Sequence, residues 1–119
     1  MTRIFVYGTL KRGCRNHHYL TGQQFLGEAH SGPGYTLFSL GDYPGMIRSP
    51  ADKAGVTGEV WLVDPPALQR LDELEGLDEG LYERVPIILN APFVDQAVET
   101  YLYRRSLAGR LALGSTWEE

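Results

Sequence analysis

What most constrains this chain is the way short β-rich runs are cut apart by turn formers. Fourteen glycines and seven prolines are spread through 119 residues rather than gathered into a linker. Between them lie six runs rich in aromatic and β-branched residues, at 3–7, 24–30, 35–40, 56–63, 82–89 and 98–103. Glycine and proline are costly inside helices and central strands, so this spacing favours compact sheets of short strands. No composition shift divides the chain, and its length suits one ordinary domain, so residues 1–119 are expected to form a single fold. In the run 56–63, Val56, Gly58, Val60 and Leu62 share one face, and Thr57, Glu59, Trp61 and Val63 the other. Both faces are therefore at least partly covered. The expected class is α+β: a small mixed β-barrel or curled sheet of about six strands with flanking helices.

One helix is announced by its ends. Asp64 is a capping residue, Pro65 suits a first turn because it has no N–H to leave unpaired, and Gly76 is a stop, so the helix should cover 65–75. Ala67, Leu68, Leu71 and Leu74 then form an apolar stripe with Gln69 and Glu73 opposite. A shorter helical turn fits 16–20, and the tail 106–119, with no strong period, is read as mostly irregular.

Glu75 breaks this helix's pattern, because on the wheel it projects between Leu68 and Leu71. A carboxyl at an apolar interface has a raised pKa, which suits it to general acid and base work near neutrality. Alternatively, a glutamate in a frayed last turn escapes to water. The stretch Val6-Tyr7-Gly8-Thr9-Leu10-Lys11-Arg12-Gly13 likewise admits two readings: a plain turn after a strand, or a concave row of backbone N–H groups that holds an anion. It matches neither G-x-x-x-x-G-K-[ST] nor G-x-G-x-x-G.

The net charge of −4 offers no basic surface for nucleic acid. No apolar run approaches the ~20 residues that cross a bilayer, and the first residues lack a signal-like pattern, so a cytoplasmic location without membrane contact is expected. The lone Cys14 agrees with a reducing compartment. Paired with His17 or His18 it would be a thiol nucleophile or part of a metal site, but it has no evident orienting partner or fourth ligand, and a solvated loop is the plainer reading. Glu59 is the rival carboxylate. Sharing a strand face with Trp61, it reads as structural or solvated.

Taken in order, Val6-Tyr7-Gly8-Thr9-Leu10-Lys11-Arg12-Gly13, Asn16-His17, Gly58-Glu59-Val60, Leu71-Asp72-Glu73-Leu74-Glu75, Leu81-Tyr82-Glu83-Arg84 and Tyr101-Leu102-Tyr103 resemble the gamma-glutamylcyclotransferase family, especially its gamma-glutamylamine branch. The resemblance covers about residues 3–105, and Gly114-Ser115-Thr116-Trp117 is similar to the close of many small bacterial members. It implies a compact β-barrel with flanking helices, a catalytic glutamate at Glu75, and no metal or organic cofactor. It also implies a small-molecule γ-glutamyl substrate held by a pocket that includes Tyr7, Gly8, Thr9 and Leu10, which is cyclised to 5-oxoproline. Tyr82 and Tyr103 are further candidates for the pocket wall. The loops 31–34, 41–48 and 76–80 are expected on the leaving-group side, where Asp78, Glu79 and Glu83 either favour a cationic leaving group or form a solvated face. Relatives in antibiotic pathways suggest the same chemistry as a lyase on an acylated intermediate. A reading from another class is a non-catalytic module of the same fold that binds a carboxylate metabolite without turning it over.

Overall fold

The computed structural model describes residues 1–119. Its strands are β1 (Thr2–Val6), β2 (Gln24–His30), β3 (Tyr35–Ser39), β4 (Pro44–Arg48), β5 (Thr57–Val63), β6 (Tyr82–Ile87), β7 (Val98–Tyr103) and β8 (Leu111–Gly114), and its one α-helix is α1 (Pro65–Leu74). Five strands form a mixed sheet in the order β2-β5-β1-β7-β6. Apolar β1 takes the middle, antiparallel to β5 with Ile4 opposite Trp61 and Val6 opposite Glu59, and parallel to β7. Alternation sends its side chains into two cores. Phe5 packs with Leu37, Met46, Val60, Leu102 and Trp117 between the sheets, while Ile4 and Val6 pack with Trp61, Val63, Ala67 and Leu71 beneath α1.

The helix begins as its sequence dictates: the Asp64 carboxylate accepts the Ala67 N–H at 2.8 Å. Ala67 and Leu71 are fully buried by the stripe. Helical geometry stops at Leu74, one residue short of the expected end, leaving Glu75 as the C-cap, and Gly76 turns the chain away with φ 64. The expected turn near residues 16–20 is a 3-10 turn at His17–Leu20. No helix is long and apolar enough to cross a membrane.

Three expectations are corrected. The sheet does not close into a barrel: its edge strands approach one another only at an isolated bridge between Ser31 and Leu89. The strand count is eight rather than six, because β4, β3 and β8 form a separate three-stranded sheet. Pro44-Gly45 looks like a turn, yet proline opening an edge strand forfeits no ladder bond, and Gly45 is required because an added Cβ would stand 2.9 Å from the Tyr103 ring. The tail is not irregular. β8 pairs with β3 across a register shift, and exposed Leu111 and Ala112 erase the alternation that would have revealed it. Trp117 then anchors the tail in the inter-sheet core.

Candidate active site

At the carboxyl end of β1 the sheet opens into a cavity of about 280 Å³. Its wall is drawn from distant segments: residues 5–10 and Asn16, Tyr43 and Pro44 at the start of β4, Leu74 and Glu75 at the end of α1, then Leu81, Tyr82 and Tyr101. No lysine, arginine or histidine lines it.

Glu75 is brought here by the helix stop, since the αL conformation of Gly76 ends α1 while the last turn still faces the core. Burial alone, uncompensated by a hydrogen bond or a cation, pushes its carboxyl up from the ordinary 4.5 to about 7. The surrounding phenols are held as neutral acids. Burial and then the Glu75 charge push the Tyr7 hydroxyl up, and burial leads in raising Tyr82 and Tyr101. Each phenol also has a fixed acceptor. Tyr7 donates to the Tyr101 carbonyl at 2.6 Å, Tyr82 to the Pro44 carbonyl at 2.7 Å, and Tyr101 to Asp72 Oδ1 at 2.7 Å. Asp72 is in turn gripped by both arms of Arg84, at 3.0 and 3.2 Å.

On the wall of the same cavity, the backbone N–H groups of Gly8, Thr9 and Leu10 donate to no carbonyl of the chain. Consecutive unpaired donors at a cavity wall can serve as an anion cradle, since donors left both buried and unpaired are costly. The loop's other groups are engaged: Lys11 N–H donates to Gly8 O at 3.1 Å, Asn16 N–H to Thr9 O at 2.9 Å, and Asn16 Nδ2 to Thr9 Oγ1 at 3.0 Å. A Cβ on Gly8 would lie 2.7 Å from Pro44 Cγ. Gly8→Ala should therefore displace Pro44 and the carbonyl that accepts from Tyr82. We expect it to destabilise the fold by about 1–3 kcal/mol and to weaken ligand binding, read by thermal unfolding beside ligand titration. An unchanged melting temperature would contradict the packing.

Six of the seven expected residues meet at this cavity: Glu75, Tyr7, Gly8, Thr9, Leu10 and Tyr82. Tyr103 does not, because it packs edge-on behind Tyr82 with ring centroids 5.3 Å apart. Of the loops expected on the leaving-group side, only 41–48 contributes to the wall, through Tyr43 and Pro44. Asp78 and Glu79 are exposed, and Glu83 pairs with Arg104 at 2.9 Å, so these acids form a solvated face rather than the wall. Asn16 and Tyr101 were missed as wall residues, although both stand in the quoted motifs. Their signal was order along the chain, which does not state direction.

Cys14 and its neighbouring histidines do not converge. His17 Nδ1 lies 3.0 Å from the Leu10 carbonyl with its ring against Trp61, and His18 packs on Tyr19. Burial and then the Glu119 charge push the Cys14 thiol up, away from an activated thiolate. Glu59 is buried rather than solvated, at 7% exposure.

Unpaired backbone donors and a raised, unpartnered carboxyl thus line one cavity of an α+β domain. The family described as "Gamma-glutamyl cyclotransferase, AIG2-like" matches residues 4–119, and the chain belongs to this family. The Gamma-glutamylcyclotransferase family protein YtfP of Escherichia coli is 36% identical over 107 residues, covering 90% of this chain and 87% of that one. The solution structure of E. coli ytfP superposes with TM-score 0.72, covering 98% of this chain and 95% of that one. An aig2-like protein from Mus musculus is 29% identical with TM-score 0.73, covering 89% and 78%. A Vibrio cholerae relative is 47% identical over 72 residues, 60% of each chain, so the match spans less than two thirds of that relative's length.

Proposed function

We propose that this chain is a cytoplasmic γ-glutamyl cyclotransferase of the gamma-glutamylamine branch, with Glu75 as its acid/base. The observation that carries the reading is the pairing of unpaired Gly8, Thr9 and Leu10 N–H donors with the raised Glu75 carboxyl across one cavity. The cradle takes the α-carboxylate of the glutamyl group. Glu75, ionised, removes a proton from the α-ammonium. The freed nitrogen then forms a bond to the substrate's own γ-carbonyl carbon, the bond from that carbon to the former amide nitrogen breaks as Glu75 returns its proton there, and the second proton of the attacking nitrogen passes to the departing amine, which leaves as an ammonium. The products are 5-oxoproline and a free amine. The nucleophile, electrophile and leaving group all belong to the substrate, so the balance needs no cofactor. Fixing amine and carbonyl face to face supplies much of the rate, since effective molarities of well-oriented intramolecular reactions reach roughly 10⁵–10⁸ M.

The wall also bears on the leaving group. A γ-glutamyl amino acid carries a second carboxylate beside the scissile nitrogen, and the cavity offers no cation for it. Tyr43, Leu74 and Leu81 present an apolar path instead, which favours a leaving amine without that carboxylate. The experiment is release of 5-oxoproline from a panel of γ-glutamyl amines and γ-glutamyl amino acids. Turnover of the amines ahead of the amino acids is the expected result, and binding across the panel with no release would establish the non-catalytic module instead.

A pH profile tests the base independently. Because the ionised carboxylate is the active form and its pKa in the free protein is about 7, kcat/KM should fall about tenfold per unit below that value. An acid limb near 4.5 would remove Glu75 from the role.

A further inference from the structure

The cradle's own N–H groups have no partners in the chain, and their direction is set by bonds on the neighbouring carbonyls, from Lys11 N–H to Gly8 O and from Asn16 N–H to Thr9 O. Beyond these bonds and the end of β1, the loop is also tied to β5 of the large sheet at its Arg12 flank. Glu59, on β5, accepts the backbone N–H of Arg12 at 3.1 Å on Oε1 and Arg12 Nε at 3.0 Å on Oε2, and the Trp61 indole N–H fixes Oε1 from the other side at 3.1 Å. The Arg12 guanidinium is itself laid over the Phe25 ring, 3.9 Å from its centroid. The far side of the loop is tied to the tail, by Lys11 to the Trp117 carbonyl at 2.6 Å and by Arg15 to Glu119 at 3.3 Å. An ion pair whose arginine is nearly half exposed contributes little to stability. The purpose of a carboxylate at 7% exposure on a central strand is therefore sought in what it holds.

Resting on the cyclotransferase reading, we propose that Glu59, through Arg12, is a positioning residue that aims the Gly8–Thr9–Leu10 cradle at the substrate's α-carboxylate. It is read as a residue of specificity, not of proton transfer: Glu59 is absent from the cavity wall and acts two residues beyond the cradle. Its loss should therefore penalise only substrates that carry the carboxylate.

The test compares a γ-glutamyl amide with the 4-aminobutyryl amide of the same amine, which lacks the α-carboxylate and cyclises by the same attack to 2-pyrrolidinone. In Glu59→Gln, kcat/KM for the carboxylate-bearing substrate should fall about 10- to 100-fold, the worth of a few well-aimed hydrogen bonds to a charged group. The loss should lie mainly in KM, and the value for the decarboxylated substrate should change less than about threefold. Should the decarboxylated substrate turn over too slowly, its inhibition constant takes the place of the rate. Arg12→Ala, which removes the guanidinium but not the backbone donor, should show the same selective loss in smaller measure and guards against a Glu59 variant that fails to fold. Equal losses on both substrates in both variants would overturn the proposal and leave Glu59 merely structural. Wild-type protein that binds both compounds without releasing product would instead sink the cyclotransferase reading, and the dissociation constants of the two compounds, from direct titration of wild type and variants, would still decide the role of Glu59.

Discussion

Glu75→Gln is expected to lose turnover by about 10²–10⁴-fold while gaining stability above neutral pH. Both effects come from one geometry. The carboxyl is enclosed without a hydrogen-bond donor or cation, so its native pKa of about 7 lies above the ordinary 4.5. Between those values the native state holds more protons than the unfolded chain, so the stability this group contributes is fully present below pH 4.5 and is lost as pH rises through about 7. The displacement corresponds to about 3 kcal/mol. Glutamine has the same shape and never ionises. The variant should match wild type in urea midpoint near pH 4.5 and exceed it at pH 8 by about that free energy. It should also retain 5-oxoproline binding, because the cradle is untouched. A midpoint difference independent of pH would mean that the carboxyl is not desolvated, and near-normal 5-oxoproline release would remove it from catalysis. The trade is the one expected of a group held in an unfavourable environment for function.

Gly58→Ala should be the most damaging single methyl in the sheet. Gly58 sits on β5 where β1 passes closest: an added Cβ would collide with the Val6 carbonyl and lie 2.8 and 2.9 Å from Phe5 Cε1 and Cζ. The carbonyl is backbone and the ring belongs to the inter-sheet core, so neither can swing aside. Relief requires β1 to move, and β1 leads directly into the cradle. We expect a loss of roughly 3 kcal/mol, at the upper end of the cost of overpacking. That is a drop in melting temperature of about 10 °C for a domain of this size. The surviving folded protein should also bind ligand less tightly. A melting temperature within a degree or two of wild type would show that β1 and β5 are not packed as closely as described.

Much of the fold was legible because local signals agreed with tertiary demands. The helix bounds follow from Asp64, Pro65 and Gly76, whose roles depend on a few neighbouring residues, and the helix was misjudged by only one position. All six expected strands lie in the five-stranded sheet or its partner with bounds moved by two residues or fewer, and β2 and β7 coincide with their expected bounds. β4 and β8 were not legible, because Pro44-Gly45 imitates a turn and β8 has only one paired neighbour. Closure was misjudged for a related reason: whether the edges β2 and β6 zip together depends on sheet curl, which no run of residues encodes by itself.

For the site, the sequence by itself determined the chemistry-bearing types and their order: a carboxylate misplaced in an apolar stripe, a glycine after the first strand, and the motifs that mark the family. It could not decide between a frayed Glu75 and an enclosed one, or between a turn at residues 7–10 and a cradle. The tertiary structure encloses Glu75 at the cavity and leaves the Gly8, Thr9 and Leu10 donors unpaired on its wall, because desolvation and unpaired donors are properties of what surrounds a group. Leu81, just before β6, and Tyr82 and Tyr101, on β6 and β7, arrive around Glu75 from segments that follow it in the chain, and Pro44 closes over Gly8 from a different sheet. It also decided between the structural and the solvated reading of Glu59 in favour of the first, since only folding buries it and brings Arg12 within 3.0 Å.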